Sequence, residues 1–296
     1  MSIFNKLCRI VNKLRSNNND LLVQANSNIN ALSIAVCRDL VFMSMDFHRA
    51  VLGQRKVVVK LLGAAGTENI ASLPESHDHD YKESAKKVKE LAGKAFSLWL
   101  QCQEAGEKTY EQEPIQNLAI EGHRSVGMFD SFVSCYLKGN ILDIGCGPQR
   151  LPYYLKNYPL EHIAGIDPIG EPKDRDFKFI KGFAEFLPWD DNSFDRVIVS
   201  TSLDHMIHLE KALDEIYRVL KKDGLFITWL GFVPGAKKYD PYAADLEKID
   251  DCHIYHFDRF WFESMMKEKF EIYEDYEIYH HDRKAVLDCF YAFKKK

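Results

Sequence analysis

The chain has 296 residues, 46% of them hydrophobic, with 39 Lys and Arg against 44 Asp and Glu and a formal net charge of −5. That length suits one large domain or two smaller ones with a sizeable core, and the mildly acidic balance gives no global attraction to nucleic acid, so no nucleic-acid partner is expected. Seven scattered cysteines without a C-x-x-C pair exclude a disulfide framework and fit a reduced, cytoplasmic setting, and no run approaches the roughly 18 apolar residues of a membrane-spanning helix.

The first half reads as helices. Over residues 3–14, Ile3, Phe4, Leu7, Ile10, Val11 and Leu14 fall at helical spacing, with Lys6, Arg9 and Lys13 between them. Residues 1–16 thus suit peripheral contact with the inner face of a membrane, a partner helix, or an ordinary packed helix. Apolar-rich segments run over 31–62 and end at 63–66; residues 76–81 read as a polar loop. A strong amphipathic helix is predicted at 84–104, with Val88, Leu91, Ala95, Leu98, Trp99 and Cys102 on one side.

The second half alternates strand and helix patterns. Strands are predicted at 140–145, 162–167, 177–181, 195–200 and 225–230, and helices at 151–158, 209–220 and 259–267. Gly224 is placed as the left-handed cap of the second of these helices. Two further strands, 271–279 and 284–293, follow. The pattern predicts an α/β fold, a doubly wound and mostly parallel sheet with helices on both faces, over 140–296. Residues 1–139 form a helical region suited to a lid, acceptor-binding or oligomerisation role, and a homo-oligomer is one possible state.

The motif that carries most chemistry is Ile141-Leu142-Asp143-Ile144-Gly145-Cys146-Gly147-Pro148. A strand running into a glycine-flanked turn leaves no β-carbons between backbone and ligand, so a cofactor can lie across the carboxyl end of the sheet. Asp167, ending the next strand, can accept from both hydroxyls of a ribose. A pyrophosphate-binding turn has a third glycine, G-x-G-x-x-G, and here Arg150 takes that place. This disfavours a nicotinamide-dependent oxidoreductase and suits a cofactor without phosphate, such as S-adenosylmethionine. Cys146 is read as a small turn filler.

Further along come Gly182-Phe183-Ala184-Glu185-Phe186-Leu187-Pro188-Trp189, Ser193-Phe194-Asp195-Arg196-Val197 and Arg218-Val219-Leu220-Lys221-Lys222-Asp223-Gly224. With the glycine turn, this series closely resembles the class I S-adenosylmethionine-dependent methyltransferases over residues 140–296. The resemblance implies a seven-stranded sheet ending in an antiparallel hairpin. It places Asp143 and the backbone of Gly145 and Gly147 beside the methionine part of S-adenosylmethionine. Asp167 falls at the ribose, the N–H of Ala184 at the adenine edge and Ser200 near the sulfonium. Phe183 stands where the family often has an aspartate, so either its ring stacks on adenine or it is plain core.

Methyl transfer to a hydroxyl needs alignment and a proton acceptor, a task that suits histidine near neutral pH. His205, in Asp204-His205 after the fourth strand, is the first candidate base. His253, in Asp250-Asp251-Cys252-His253-Ile254-Tyr255-His256, is the second. Asp204, His205, Asp251, His253 and His256 also offer oxygen and nitrogen ligands, but their spacing matches no fixed metal motif and no metal is expected. Tyr110, His123 and Arg124 are further candidates for cofactor or acceptor contact, Arg124 as partner of the methionine carboxylate. The turn segment 147–155, Ser202-Leu203-Asp204-His205 and the late histidine run resemble bacterial methyltransferases associated with surface polysaccharides. That resemblance implies a sugar hydroxyl of a glycan as acceptor; a small natural product and a non-catalytic S-adenosylmethionine-binding protein are the alternatives.

Overall fold

The computed structural model describes residue 50 and residues 70–113, 119–121, 124–279 and 287–296. The chain divides into residues 1–48 and 49–296, and every described residue lies in the second part. The predicted segments 3–14 and 31–62 therefore fall outside the described residues, apart from residue 50. No described helix is long and apolar enough to cross a membrane.

Seven strands form one sheet: β1 (Ile141–Ile144), β2 (Ile163–Asp167), β3 (Lys178–Lys181), β4 (Phe194–Ser200), β5 (Leu220–Phe232), β6 (Phe270–Tyr279) and β7 (Leu287–Lys295). Their order is β3-β2-β1-β4-β5-β7-β6. The first five pair in parallel, and β7 runs antiparallel to both of its neighbours. Every residue of β1 and β2 is buried, as expected of parallel strands covered on both faces.

Around the sheet lie α1 (Tyr81–Ala92), α2 (Lys94–Gln112), α3 (Arg124–Val133), α4 (Leu209–Val219) and α5 (Arg259–Met266). Side chains alternate along a strand, so β1 sends Leu142 and Ile144 to one face and Asp143 to the other. The first face meets a core that includes Val88, Phe96 and Trp99 of α1–α2, Ile216 of α4 and Phe262 of α5. On the opposite face Phe129 of α3 packs against Tyr154, Trp229 and Phe290 with ring centroids 5.1–5.6 Å apart.

Three local expectations are corrected. The single helix over 84–104 is two helices, because Gly93 takes φ 52° and breaks the α-helical path between α1 and α2. No α-helix covers 151–158; only a 3₁₀ turn at Tyr153–Leu155 forms. Pro152 and Pro159 bound that stretch and push the residues before them out of the helical region, leaving too little chain for a helix. Gly224 does not cap α4: the helix passes into extended Leu220, which already pairs with Phe194, and Gly224 lies inside β5. The links from β1 to β2, β2 to β3 and β3 to β4 also carry no α-helix, so the helices are fewer than a fully doubly wound pattern implies.

Candidate active site

A cavity of about 540 Å³ opens at the carboxyl ends of β1, β2, β4 and β5, where the glycine turn, residues 182–185, residues 200–207 and residues 250–256 meet. One end is built by the turn after β1. Gly145 has φ 70° and Gly147 φ 71°, both left-handed. A side chain at Gly145 would also collide with Ser202, whose Oγ lies 2.3 Å from where a β-carbon would stand and itself donates to the Ile144 carbonyl at 3.1 Å. Asp167 fixes the turn from β2. One carboxylate oxygen accepts from the Gly147 N–H at 2.8 Å, and the other accepts from the Ile169 N–H at 2.7 Å. Burial pushes the Asp167 carboxyl up to about 6, opposed by those two hydrogen bonds. Each oxygen keeps a second lone pair, so Asp167 can still accept from a ligand.

Asp143 lies behind this turn rather than on the cavity wall. It is fully buried and accepts from the Tyr154 hydroxyl at 3.0 and 3.2 Å. Burial pushes its carboxyl up to about 8, partly offset by the tyrosine. Strand alternation aims it at the α3 face, so it does not line the cavity. Arg150, in the third-glycine position, reaches outward and hydrogen-bonds Asp176. Cys146 is buried, with its thiol pushed well above the ordinary range, as suits a turn filler.

Phe183 and Ala184 both line the cavity. The Phe183 ring is already stacked on Tyr81 of α1 (5.3 Å, 13°) and tilted against Trp99 of α2 (5.6 Å), and is only 2% exposed, which favours the core reading of the two. Glu185 holds the next wall in place. It accepts from the N–H groups of Ile207 and His208, each at 2.9 Å, just before α4. Arg218 donates to the Leu187 and Trp189 carbonyls and to Glu215, while Glu215 accepts from the Leu187 N–H. The later motifs are thus clamps on one another.

The other end of the cavity begins after β4. Ser200 lines the wall, and Thr201 follows at φ 53°, a costly conformation for a β-branched residue. The chain then turns through Leu203–His205, a 3₁₀ turn. Asp204 and His205 thereby face residues 250–256, which reach the same place from the far side of β5. That loop is pinned by buried Ile254, Tyr255 and Phe257, and by Val233 N–H donating to the Phe257 carbonyl at 3.0 Å.

Here His205 and His253 lie with ring centroids 4.5 Å apart, and His253 and His256 5.0 Å apart. His253 Nδ1 is 2.8 Å from Asp250 Oδ1; a carboxylate only accepts, so the proton is on Nδ1. His253 Nε2 faces Asp204, whose Oδ2 is 3.8 Å away. Burial lowers the basicity of His205, opposed by neighbouring Asp204 and the backbone of Cys252. Partial burial would raise the Asp250 carboxyl, but His253 and the N–H groups of Cys252 and His253 bring it below the usual carboxylate range. Asp204 Oδ1 is buried with no hydrogen-bond partner among the described residues.

Of the other predicted residues, Tyr110 lines the cavity from α2. Arg124 opens α3, but its side chain, like all of His123, lies outside the described residues. Asp251 does not join the cluster; Asp250 takes that place. Asp288 of β7 also lines the cavity, a contribution that no local motif signalled.

Residues 142–228 match the family described as the methyltransferase domain. The chain is 27% identical over 159 residues to the uncharacterized methyltransferase YcgJ of Bacillus subtilis, covering 50% of this chain and 62% of that one. It is 32% identical over 110 residues to a ubiquinone/menaquinone biosynthesis C-methyltransferase of Campylobacter jejuni, covering 32% and 47%. The chain thus spans about half to three-fifths of the length of these relatives. Among solved structures, the PH0226 protein of Pyrococcus horikoshii aligns at a TM-score of 0.48 and 18% identity, over 64% of this chain and 99% of that one.

Proposed function

We propose that the chain transfers a methyl group from S-adenosylmethionine to a hydroxyl of a small-molecule acceptor. The observation that carries this reading is one cavity whose two ends differ in chemistry: a backbone-rich glycine turn with Asp167, and an imidazole–carboxylate cluster. In this reading the Gly145–Gly147 backbone faces the methionine part, Asp167 the ribose and the Ala184 N–H the adenine edge. Ser200 sits near the sulfonium, and Arg124 is the partner of the methionine carboxylate. His205 and His253 mark the acceptor end. The acceptor oxygen forms a bond to the methyl carbon as the carbon–sulfur bond breaks. Its electron pair goes to sulfur, giving S-adenosylhomocysteine, and the hydroxyl proton leaves at the Asp204–His205–His253 cluster.

A sugar hydroxyl of a glycan is the first choice of acceptor, since the carboxylates of Asp204, Asp250 and Asp288 suit a polyol; a small natural product is the second. In this reading the described part of the helical region, from which Tyr110 lines the cavity, helps to close the acceptor side and exclude water. Membrane contact through residues 1–16 and self-association belong to the same reading, checked by liposome flotation of full-length and 17–296 chains and by sedimentation.

The test is calorimetry with S-adenosylmethionine, followed by detection of S-adenosylhomocysteine with sugars, lipid- or nucleotide-linked glycans and small phenols. Binding plus acceptor-dependent turnover is expected. Binding without turnover on any acceptor would favour a non-catalytic S-adenosylmethionine-binding protein, and absence of binding would overturn the assignment.

A further inference from the structure

We infer that Asp204, His205 and His253 form a binding site for one divalent transition-metal ion at the acceptor end of the cavity. This rests on the reading above and gives that end its chemistry.

Three observations converge. First, one potential ligand atom from each of these residues lies within 4.8 Å of the others. Nitrogen and oxygen ligands at about 2.0–2.1 Å from a common ion stand roughly 3–4 Å apart, so a small inward shift closes the set. Second, His253 is held as metal-bound histidines usually are, with the nitrogen that does not bind metal hydrogen-bonded elsewhere. Asp250 accepts from His253 Nδ1–H at 2.8 Å. Such partners fix the tautomer and aim the remaining lone pair. Third, Asp204 Oδ1 is buried without a hydrogen-bond partner among the described residues. An unsatisfied buried carboxylate oxygen is costly, and a cation beside it removes the cost.

The residues Asp250, His253 and His256 form an overlapping second set. It is the poorer one, because Asp250 is already engaged by His253 Nδ1 and lies 3.3 Å from His256 Nε2, in a more exposed position. Asp250 is better read as the carboxylate that orients His253. Two imidazoles and a carboxylate favour zinc, iron, cobalt or manganese over magnesium or calcium. Three protein ligands leave coordination positions open to the cavity, which is the pattern of a substrate-binding rather than a structural ion. An acceptor hydroxyl held there loses its proton to water more easily, and a vicinal diol can use two open positions. The proton-accepting role expected of His205 or His253 is then replaced by ligation.

The test uses the full chain, stripped with a chelator and titrated with Co²⁺ or Zn²⁺ alone, followed by calorimetry and by the visible absorption of Co²⁺. About one equivalent should bind, with d–d bands of a mixed nitrogen–oxygen site. His205→Gln and His253→Gln should each abolish those bands. Asp250→Asn should weaken binding by about 10- to 100-fold, as loss of an orienting partner does, while His256→Gln has a smaller effect. S-adenosylmethionine affinity, measured in parallel, reports that each variant is folded. No binding by the parent chain overturns the inference, and so does binding that survives both His→Gln changes. If the stripped parent chain still turns over with chelator present, the metal is wrong and the methyltransferase reading stands. If metal binds as described and no acceptor is methylated, the reverse holds.

Discussion

At the end of the cavity proposed for the donor, Gly145 and Gly147 line the wall with main chain alone, and one carboxylate, Asp167, braces their turn. At the acceptor end the walls are side chains, and they come from two loops on either side of β5. The first end is a local object: a strand, a turn and the next strand tip fix it. The second exists only when distant segments meet, and it depends on buried Ile254, Tyr255 and Phe257 to hold its loop. A donor site built of backbone tolerates few changes at its glycines, whereas an acceptor site built of side chains can change without disturbing the donor.

The largest expected effect tests that independence. His205→Asn should lower turnover by about 10²–10⁴-fold, the usual worth of a group that handles the proton, whether it takes the proton or holds an ion. S-adenosylmethionine affinity should stay as in the parent. A parallel loss of cofactor affinity in calorimetry would show that the two ends are not separable.

Gly145→Ala should do the opposite, abolishing cofactor binding and lowering the melting temperature. The left-handed backbone alone costs about 1–2 kcal/mol for a residue with a side chain, and the contact with Ser202 adds to it. Combining it with Ser202→Gly relieves the contact but not the backbone, so the double variant should recover only part of the stability. Full recovery would mean that φ is unimportant here.

Asp167→Ala should weaken S-adenosylmethionine binding by about 1.5–3 kcal/mol, the range for hydrogen bonds to a charged group. It should also loosen the turn, since the Gly147 and Ile169 N–H groups lose their acceptor. Unchanged affinity would remove Asp167 from the site.

The last effect concerns Asp143. Its folded value of about 8 lies above that of an unfolded aspartate, so between those limits the folded protein holds a proton that the unfolded chain has lost. This contribution to stability is complete at acidic pH and is lost as pH rises through about 8. Asp143→Asn should flatten that slope in denaturant titrations across the interval; an unchanged slope would mean that Asp143 does not carry it.

Much of the donor end could be read from the chain because its determinants are contiguous. The strand into Gly145-Cys146-Gly147 and the acid at Asp167 stand in order, and Arg150 stands where a phosphate-binding turn has its third glycine. The strands were legible as short apolar runs, and the antiparallel pair β6–β7 was anticipated. Where local reading failed, neighbours decided. Two prolines denied 151–158 a helix, and pairing with Phe194 drew residues 220–224 into β5. The acceptor end was legible only as candidates. Nothing local distinguishes Asp250 from Asp251, or reveals that Asp288 of β7 reaches the same cavity.

The position of β7 also sets an order of events. β6 makes its sheet contact through β7 alone, and β7 sits between it and β5. β6 therefore cannot join the sheet until β7 is in place, and the pair must either dock as a preformed hairpin or assemble on β5 together. Contacts of such long sequence separation form slowly. The amides of both strands should accordingly exchange with solvent as one unit, distinct from those of β1 to β4. Because Asp288 lies on that late-arriving strand, the acceptor end of the cavity is complete only after this step, while the glycine turn can take shape earlier.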